Sequence, residues 1–185
     1  MRVISGSARG RKLKAPVGSD IRPTSDMVKE SVFNIIQFDI EGRHVLDLFA
    51  GTGQLGIEAL SRGAKGVVFV DSSPDAVKLI RENIEHCGFS GIWSVFRQDA
   101  LDFLEYCEKF DLILIDPPYD SSLAESAIEK IIEFDKLSTN GIIICETKAD
   151  SMSPVVSAPY RLQKEYLYGS VKILRYEYGC LSGEF

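Results

Sequence analysis

The chain has 185 residues, of which 45% are hydrophobic and 26% are charged, and its formal net charge is −6. This length predicts one domain with enough apolar material for a buried core. No apolar run approaches the roughly 20 residues of a membrane-spanning helix, and the N-terminus lacks the apolar segment of a secretion signal. Four widely spaced cysteines without a Cys-x-x-Cys pair predict neither a zinc site nor a disulfide framework, so we expect a cytoplasmic protein.

The first 16 residues differ in charge from the rest of the chain. They contain five basic residues and no acid, so the remainder must carry −11 to give the net −6. The basic residues are Arg2, Arg9, Arg11, Lys12 and Lys14. They alternate with apolar residues around Gly6 and Gly10, which predicts a short hairpin rather than a free tail. A basic arm on an acidic body favours a nucleic-acid partner, although a short charged run is more often a solvated surface.

A helix is predicted next, in the stretch IRPTSDMVKESVFNII at residues 21–36. Pro23 keeps Arg22 extended, and apolar residues then recur on one helical face. The candidate N-caps are Thr24, Ser25 and Asp26.

From residue 43 onward, apolar runs of strand length alternate with amphipathic stretches of helical length. The predicted strands are HVLDLFA, GVVFVD, IWSVFRQD, FDLILID and GIIICET. This alternation predicts right-handed βαβ units and a mostly parallel sheet with helices on both faces. Two further runs, YRLQKEYLY and VKILRYEYG, predict a C-terminal antiparallel hairpin. The predicted fold class is therefore α/β, a doubly wound, seven-stranded sheet, and we divide the chain into the arm (residues 1–22) and the sheet domain (residues 23–185).

The segment DLFAGTGQLG, residues 47–56, lies between the first strand and its helix. Its three glycines match G-x-G-x-x-G, and Asp71 ends the next strand about 20 residues later. Such glycines let the backbone approach a ligand closely, and an acid at a strand tip can hold a ribose diol. The pattern suits any adenosine-type cofactor and does not by itself choose between them.

Asp47 favours one class of cofactor. A dinucleotide-binding loop presents a helix N-terminus to a pyrophosphate, and a carboxylate just before the first glycine would repel that anion. The same carboxylate suits the ammonium group of S-adenosylmethionine, which NAD lacks. Two alternatives remain open: Asp47 could brace the loop through backbone amides, and Asp99, after the third strand, could hold an adenine amino group or cap the next helix.

The stretch ILIDPPYD, residues 113–120, ends a strand in an acid, two prolines and a tyrosine. At the carboxyl edge of an open α/β sheet this corner would lie beside the cofactor. The Asp116 carboxylate and a backbone carbonyl could accept the two N–H bonds of an exocyclic amine and aim its lone pair at a sulfonium methyl. Pro117 and Pro118 would hold these acceptors rigid, and Tyr119 offers a ring for a flipped base. Alternatively, the two prolines only end the strand and Tyr119 only packs against the protein.

Together, DLFAGTG and DPPY resemble the class I S-adenosylmethionine-dependent methyltransferases that modify amino groups. The arm MRVISGSARGRKLKAP, the stretch IRPTSDMVKESVFNII and GIEALSRGA narrow the resemblance to the RsmD family, bacterial enzymes that methylate N2 of a guanine in small-subunit ribosomal RNA. The resemblance covers nearly the whole chain. It implies a substrate in that RNA, either naked or within a ribosomal subunit. No obvious interface stripe is present, so we expect a monomer.

The resemblance also implies roles for individual residues. The implied cofactor site consists of Asp47, Phe49, Gly51, Gly53, Asp71, Ser72, Asp99, Ala100 and Asp116. The implied catalytic pocket consists of Asp116, Pro117, Pro118 and Tyr119. The implied RNA contacts are Arg9, Arg11, Lys12 and Arg22. Within the cofactor site, Asp47 and the glycines would hold the methionine part, Asp71 the ribose and Asp99 the adenine, while Arg22 and Thr24 would help to close it. The pair Ser72-Ser73 departs from the family pattern, where a bulkier or charged residue is expected after the ribose acid.

Three other functions remain open at this point. An adenine-N6 methyltransferase acting on DNA or RNA would use the same pocket, although 185 residues leave little room for a base-reading domain. An NAD-dependent oxidoreductase would need a proton donor, and neither His44 nor His86 is placed for that role. A non-catalytic RNA-binding protein with this fold would not need Asp116.

Overall fold

The computed structural model describes residues 1–15, 26–118 and 122–179, and in these ranges seven strands form one sheet flanked by five helices. The helices are α1 (Asp26–Ile35), α2 (Gln54–Ser61), α3 (Pro74–Cys87), α4 (Ala100–Tyr106) and α5 (Leu123–Glu133). The strands are β1 (His44–Leu48), β2 (Gly66–Asp71), β3 (Ile92–Arg97), β4 (Phe110–Ile115), β5 (Leu137–Lys148), β6 (Tyr160–Tyr168) and β7 (Val171–Tyr178). None of the helices in the described ranges combines the length and the apolar character that crossing a membrane requires.

The strand order across the sheet is β3-β2-β1-β4-β5-β7-β6. The first five of these strands are parallel, and β7 pairs antiparallel with both β5 and β6. The predicted doubly wound α/β sheet with a C-terminal hairpin is therefore confirmed. The chain proceeds outward from β1 through β2 to β3 and then returns to the other side of β1 as β4. The order reverses between β1 and β4, and open α/β sheets bind ligands beyond the carboxyl ends of the strands at such a point.

The sheet separates two apolar layers because successive side chains of a strand point to opposite faces. On one face, Val45 of β1 and Leu114 of β4 pack in the layer formed with α1, α2 and α3. On the other face, Leu46 and Ile113 pack with α4 and α5. β4 is buried at nearly every position, which is typical of a parallel strand that is covered on both faces. The carboxyl ends of these central strands are thereby fixed within a rigid core.

The N-terminal arm is a hairpin that packs on the first of these layers. Arg2 and Lys12 form an antiparallel bridge, which confirms the predicted hairpin. Three apolar side chains of the arm are buried in the same core as α1, α2 and α3: Val3, Ala8 and Leu13. The arm is therefore joined to the sheet domain by a shared core, whereas the predicted boundary near residue 22 lies outside the described residues.

The start of β5 differs from the sequence pattern, and the start of α1 falls at the edge of the described residues. α1 is already helical at Asp26, the first described residue of this segment, and the other two candidate N-caps lie outside the described residues. β5 begins at Leu137, before the expected start at Gly141, because its pairing with β4 contains a register shift between Phe110 and Leu112. Apolar periodicity carries no signal for a shift of this kind, in which four residues of β5, between Leu137 and Ile142, lie opposite the single residue Asp111 of β4.

Candidate active site at the carboxyl edge of the sheet

The loop between β1 and α2 turns sharply at the carboxyl end of β1. Phe49, Gly51 and Gly53 have φ angles of +68°, +55° and +77°, a region that an L side chain enters at an energetic cost. The amide of Gly53 donates to the carbonyl of Ala50 at 2.7 Å and closes the turn. Glycine avoids the cost at two of the three positions. Phe49 holds its positive φ despite its side chain, and strained backbone of this kind is concentrated at functional sites.

Asp71, at the tip of β2, holds this loop from the side. One carboxylate oxygen accepts a hydrogen bond from the Gly51 amide at 2.8 Å, and the other accepts from the Ser73 amide at 2.8 Å. Since a carboxylate has about four lone-pair sites, Asp71 can also accept from a ligand hydroxyl. A Cβ added at Gly51 would have no atom of the described residues within 4 Å. As far as the described residues go, the loop beside Asp71 is therefore open to a ligand at Gly51, and Ser72, which the resemblance places in the cofactor site, is exposed next to it.

Asp47 lies beneath the same loop, on the face of the sheet that α2 covers. Its side chain is only 1% exposed, and one carboxylate oxygen accepts from the Gly56 amide at 2.8 Å. Burial raises the pKa of Asp47 well above its usual range. The Gly56 hydrogen bond opposes this shift, and the charges of Asp116 and Asp71 add to it. Asp47 thus braces the loop, and the three carboxylates together create a place where a cationic ligand would be stabilised.

The third glycine of the motif brings α2 onto the sheet. A Cβ added at Gly56 would lie 2.2 Å from Cε1 of Phe69 and 2.9 Å from Cγ1 of Val67. Only glycine lets α2 rest this closely on β2, and the close approach carries the Gly56 amide to the carboxylate of Asp47. This glycine therefore serves packing, whereas Gly51 leaves room for a ligand.

Asp99 follows β3 and caps α4. Its Oδ1 accepts from the amides of Leu101 at 2.8 Å and Asp102 at 3.2 Å, so the capping alternative is observed. Asp99 is exposed while its neighbour Ala100 is buried. The exposed carboxylate can therefore accept from a ligand amino group in addition to its capping role.

The corner after β4 lies beside the glycine loop because β1 and β4 pair up to their last residues. Asp116 is half-buried, Pro117 is buried and Pro118 is exposed. The charge of Asp116 helps to raise the pKa of Asp47, so the two carboxylates are close in space. The structure thus places Asp116, at the corner after β4, close to Asp47, beneath the glycine loop. Tyr119 lies outside the described residues.

Four buried polar residues that the sequence pattern does not single out attach the arm to the sheet domain: Lys29 of α1, Glu58 and Ser61 of α2, and Asn83 of α3. The Glu58 carboxylate accepts from the amides of Ile4 at 2.7 Å and Ser5 at 2.9 Å, and it lies 3.7 Å from the Lys29 ammonium. Burial lowers the pKa of Lys29, and the charge of Glu58 opposes that shift. A polar residue at an apolar position of a helical pattern is the signal that could have identified them.

The basic residues near the turn of the arm lie on the outer surface, away from the carboxyl edge. Of the residues implied as RNA contacts, Arg9, Arg11 and Lys12 lie within the described ranges, and all three are exposed. The Arg11 guanidinium donates to the carbonyl of His86 at 3.4 Å. The turn of the arm contacts Ser61 at the end of α2, so it lies about 12 Å, the length of α2, behind the glycine loop. Arg22 and Thr24 lie outside the described residues.

Comparison with known proteins agrees with this architecture. The family model described as "Conserved hypothetical protein 95" matches residues 1–177. The Haemophilus influenzae protein named ribosomal RNA small subunit methyltransferase D is 37% identical over 182 residues, covering 96% of this chain and 93% of the relative. The Escherichia coli protein of the same name is 32% identical over 178 residues, covering 96% and 89%. The solved structure of Escherichia coli yhhF superposes with a TM-score of 0.87 at 29% identity, covering 97% and 98%. The chain therefore belongs to the RsmD family, and its fold is that of the class I methyltransferases.

Proposed function

We propose that this protein transfers the methyl group of S-adenosylmethionine to N2 of a guanine in small-subunit ribosomal RNA. The observation that carries the proposal is the position of Asp116 and Pro117, at the end of β4 and beside the glycine loop that follows β1. Family membership supports the substrate class, because relatives from two bacteria are named ribosomal RNA small subunit methyltransferase D.

The residues around the loop fit this cofactor, which carries two cationic groups, a ribose diol and an adenine amino group. The carboxylates of Asp47 and Asp116 suit the cations, and Asp71 can accept from a ribose hydroxyl. The exposed Asp99 can accept from the adenine amino group, and Gly51 leaves the backbone open to close approach. When bound, the cofactor supplies a methyl group on a positively charged sulfur, which an amine can attack directly.

Asp116 and Pro117 act on the acceptor amine. N2 of guanine is a weak nucleophile because its lone pair is delocalised into the ring. The Asp116 carboxylate accepts one N–H bond and the Pro117 carbonyl accepts the other, which localises the lone pair and directs it at the methyl group. Pro117 is buried, and the ring of Pro118 restricts its ψ angle, so this carbonyl is held in place before the base arrives. The Asp116 carboxylate also stabilises the positive charge that develops on the nitrogen.

The target base must leave its stack to reach this corner. Tyr119 remains the predicted stacking platform, worth about 1–3 kcal/mol per base in comparable sites. Arg9, Arg11 and Lys12 bind phosphates at a distance from the pocket, which gives affinity and position rather than sequence preference. The same two acceptors would serve N6 of adenine in DNA or RNA, and the modified nucleoside separates the two functions.

The variant Asp116→Asn tests the proposal. It keeps the shape of the side chain but places an NH₂ donor where an acceptor is needed. We expect methyl transfer to small-subunit RNA to fall by about 10²–10³-fold, with a much smaller change in the affinity for S-adenosylhomocysteine. The matched control is Asp111→Asn, at the opposite end of β4, where the carboxylate accepts from the His44 amide at 2.9 Å. Wild-type turnover by Asp116→Asn would refute the role of this carboxylate.

A further inference from the structure

Asn83 is a buried polar residue on the apolar face of α3. Its side chain is fully buried in a row with Ile80, Ile84 and Cys87. An amide in such surroundings costs free energy unless its donors and acceptors are paired, and asparagine is also a poor helix former. Neither core packing nor helix stability accounts for asparagine at this position. Its hydrogen bonds must therefore account for it.

The hydrogen bonds of the Asn83 side chain leave its own helix. Its Oδ1 accepts from the Lys14 amide at 2.8 Å, while its Nδ2 donates to the carbonyls of Lys14 at 3.2 Å and Thr52 at 3.0 Å. The orientation is fixed because the Lys14 amide can only donate. Lys14 belongs to the arm, whereas Thr52 lies between Gly51 and Gly53 of the cofactor loop. One side chain therefore joins the arm to the loop.

Further contacts connect the same parts of the molecule. The Thr52 hydroxyl donates to Sδ of Met1 at 3.4 Å, so the first residue of the arm also reaches the loop. Ile80, one turn before Asn83, lies where a Cβ on Gly53 would meet it at 3.3 Å. Met1 and Lys14 of the arm, together with α3, thus support the loop at Thr52 and Gly53.

We propose that Asn83 is a positioning residue that couples the N-terminal arm to the cofactor loop. Cofactor binding then stabilises the docked arm and prepares its basic surface for RNA. The inference rests on the proposed function for the identity of the cofactor. If cofactor binding strengthens the docking of the arm by a given free energy, docking of the arm strengthens cofactor binding by the same free energy. Asn83 connects the two because it binds Lys14 and Thr52 at once.

Hydrogen exchange with and without S-adenosylhomocysteine tests the coupling. In the wild-type protein we expect this ligand to slow exchange both in the glycine loop and in a peptide of residues 1–15, the latter by about fivefold or more. In Asn83→Ala, the ligand should still protect the loop but lose most of its effect on the exchange of the arm, because only the weak contact between Thr52 and Met1 then connects the two. A purely structural role would alter exchange of the arm equally with and without ligand. Glu82→Gln is the matched control, because it removes only the exposed ion pair with Lys14 at 2.8 Å.

A second variant, Asn83→Asp, keeps the acceptor for the Lys14 amide and loses the donor to Thr52, so it should also lose the coupling. The inference is overturned if the wild-type arm does not respond while the ligand protects the loop. It is equally overturned if both Asn83 variants respond as the wild type does. A protein that does not use S-adenosylmethionine gives a different result. S-adenosylhomocysteine would then protect neither segment, and calorimetry would detect no binding. That result would overturn both proposals.

Discussion

Alanine should have different effects at Gly56 and Gly51, although both glycines belong to one motif. A Cβ at Gly56 would lie 2.2 Å from Cε1 and 2.8 Å from Cζ of Phe69. Phe69 is fully buried, so its ring cannot swing aside and α2 must move away from β2. Overpacking of a core costs about 1–3 kcal/mol and occasionally more. Because the overlap is with a fixed aromatic ring, we expect Gly56→Ala to lower the free energy of unfolding by about 3 kcal/mol.

At Gly51 the cost comes from the backbone alone. No atom of the described residues lies within 4 Å of a Cβ there, and the φ of +55° costs an L residue about 1–2 kcal/mol. Gly51→Ala should therefore lose less stability than Gly56→Ala. It should weaken the binding of S-adenosylhomocysteine about tenfold or more, equivalent to about 1.4 kcal/mol, because the added methyl group would occupy the space that we propose for the ligand.

Urea denaturation gives the free energy of unfolding of each variant, and calorimetry gives its affinity for S-adenosylhomocysteine. The reasoning on packing would be refuted if Gly56→Ala were as stable as Gly51→Ala. The reasoning on the loop would be refuted if Gly51→Ala kept wild-type affinity for the ligand.

The remaining predictions concern charged residues. Affinity for S-adenosylhomocysteine should fall as the pH is lowered through the raised pKa of Asp47, because protonation removes the charged partner of the ligand ammonium. Calorimetry over a pH series measures this fall, and the variant Asp47→Asn should not show it. The ligand-free protein binds more protons at Asp47 than the unfolded chain does, so its stability should decrease as the pH rises from the usual Asp pKa to the raised one. Glu58→Leu should lower the free energy of unfolding, measured by urea denaturation, by about 3–5 kcal/mol because it leaves Lys29 buried without its carboxylate. The double variant with Lys29→Met should lose less than the sum of the two single changes. Replacing Arg9 and Lys12 by alanine should weaken binding to all RNA sequences alike and reduce the slope of log affinity against log salt by about 1–2 in filter binding.

The alternation of strands and helices and the glycine loop could be predicted because they depend on local patterns. The apolar runs of the central strands are typical of buried parallel strands, and the spacing from Gly51 to Gly56 defines the loop that follows β1. The early start of β5 at Leu137 could not be predicted, since a register shift depends on the partner strand. The attachment of the arm depends in the same way on residues distant in sequence.

The roles of single polar residues could be predicted only as alternatives. Asp47 was expected either to meet an ammonium group or to brace the loop, and the hydrogen bond from Gly56 shows the bracing role. The partners of a buried polar group are set by tertiary proximity rather than by its neighbours in sequence. Asn83 illustrates this, because its partners Lys14 and Thr52 lie 69 and 31 residues away.

Nucleoside analysis of the methylated product tests the proposed function most directly. Labelled S-adenosylmethionine is supplied with unmethylated small ribosomal subunits, with naked small-subunit RNA and with DNA. The proposed function predicts label in N2-methylguanosine of the RNA, and comparison of the first two acceptors identifies the form of RNA that is used. Label in N6-methyladenine, or no label in any acceptor from a protein that binds S-adenosylhomocysteine, would contradict it.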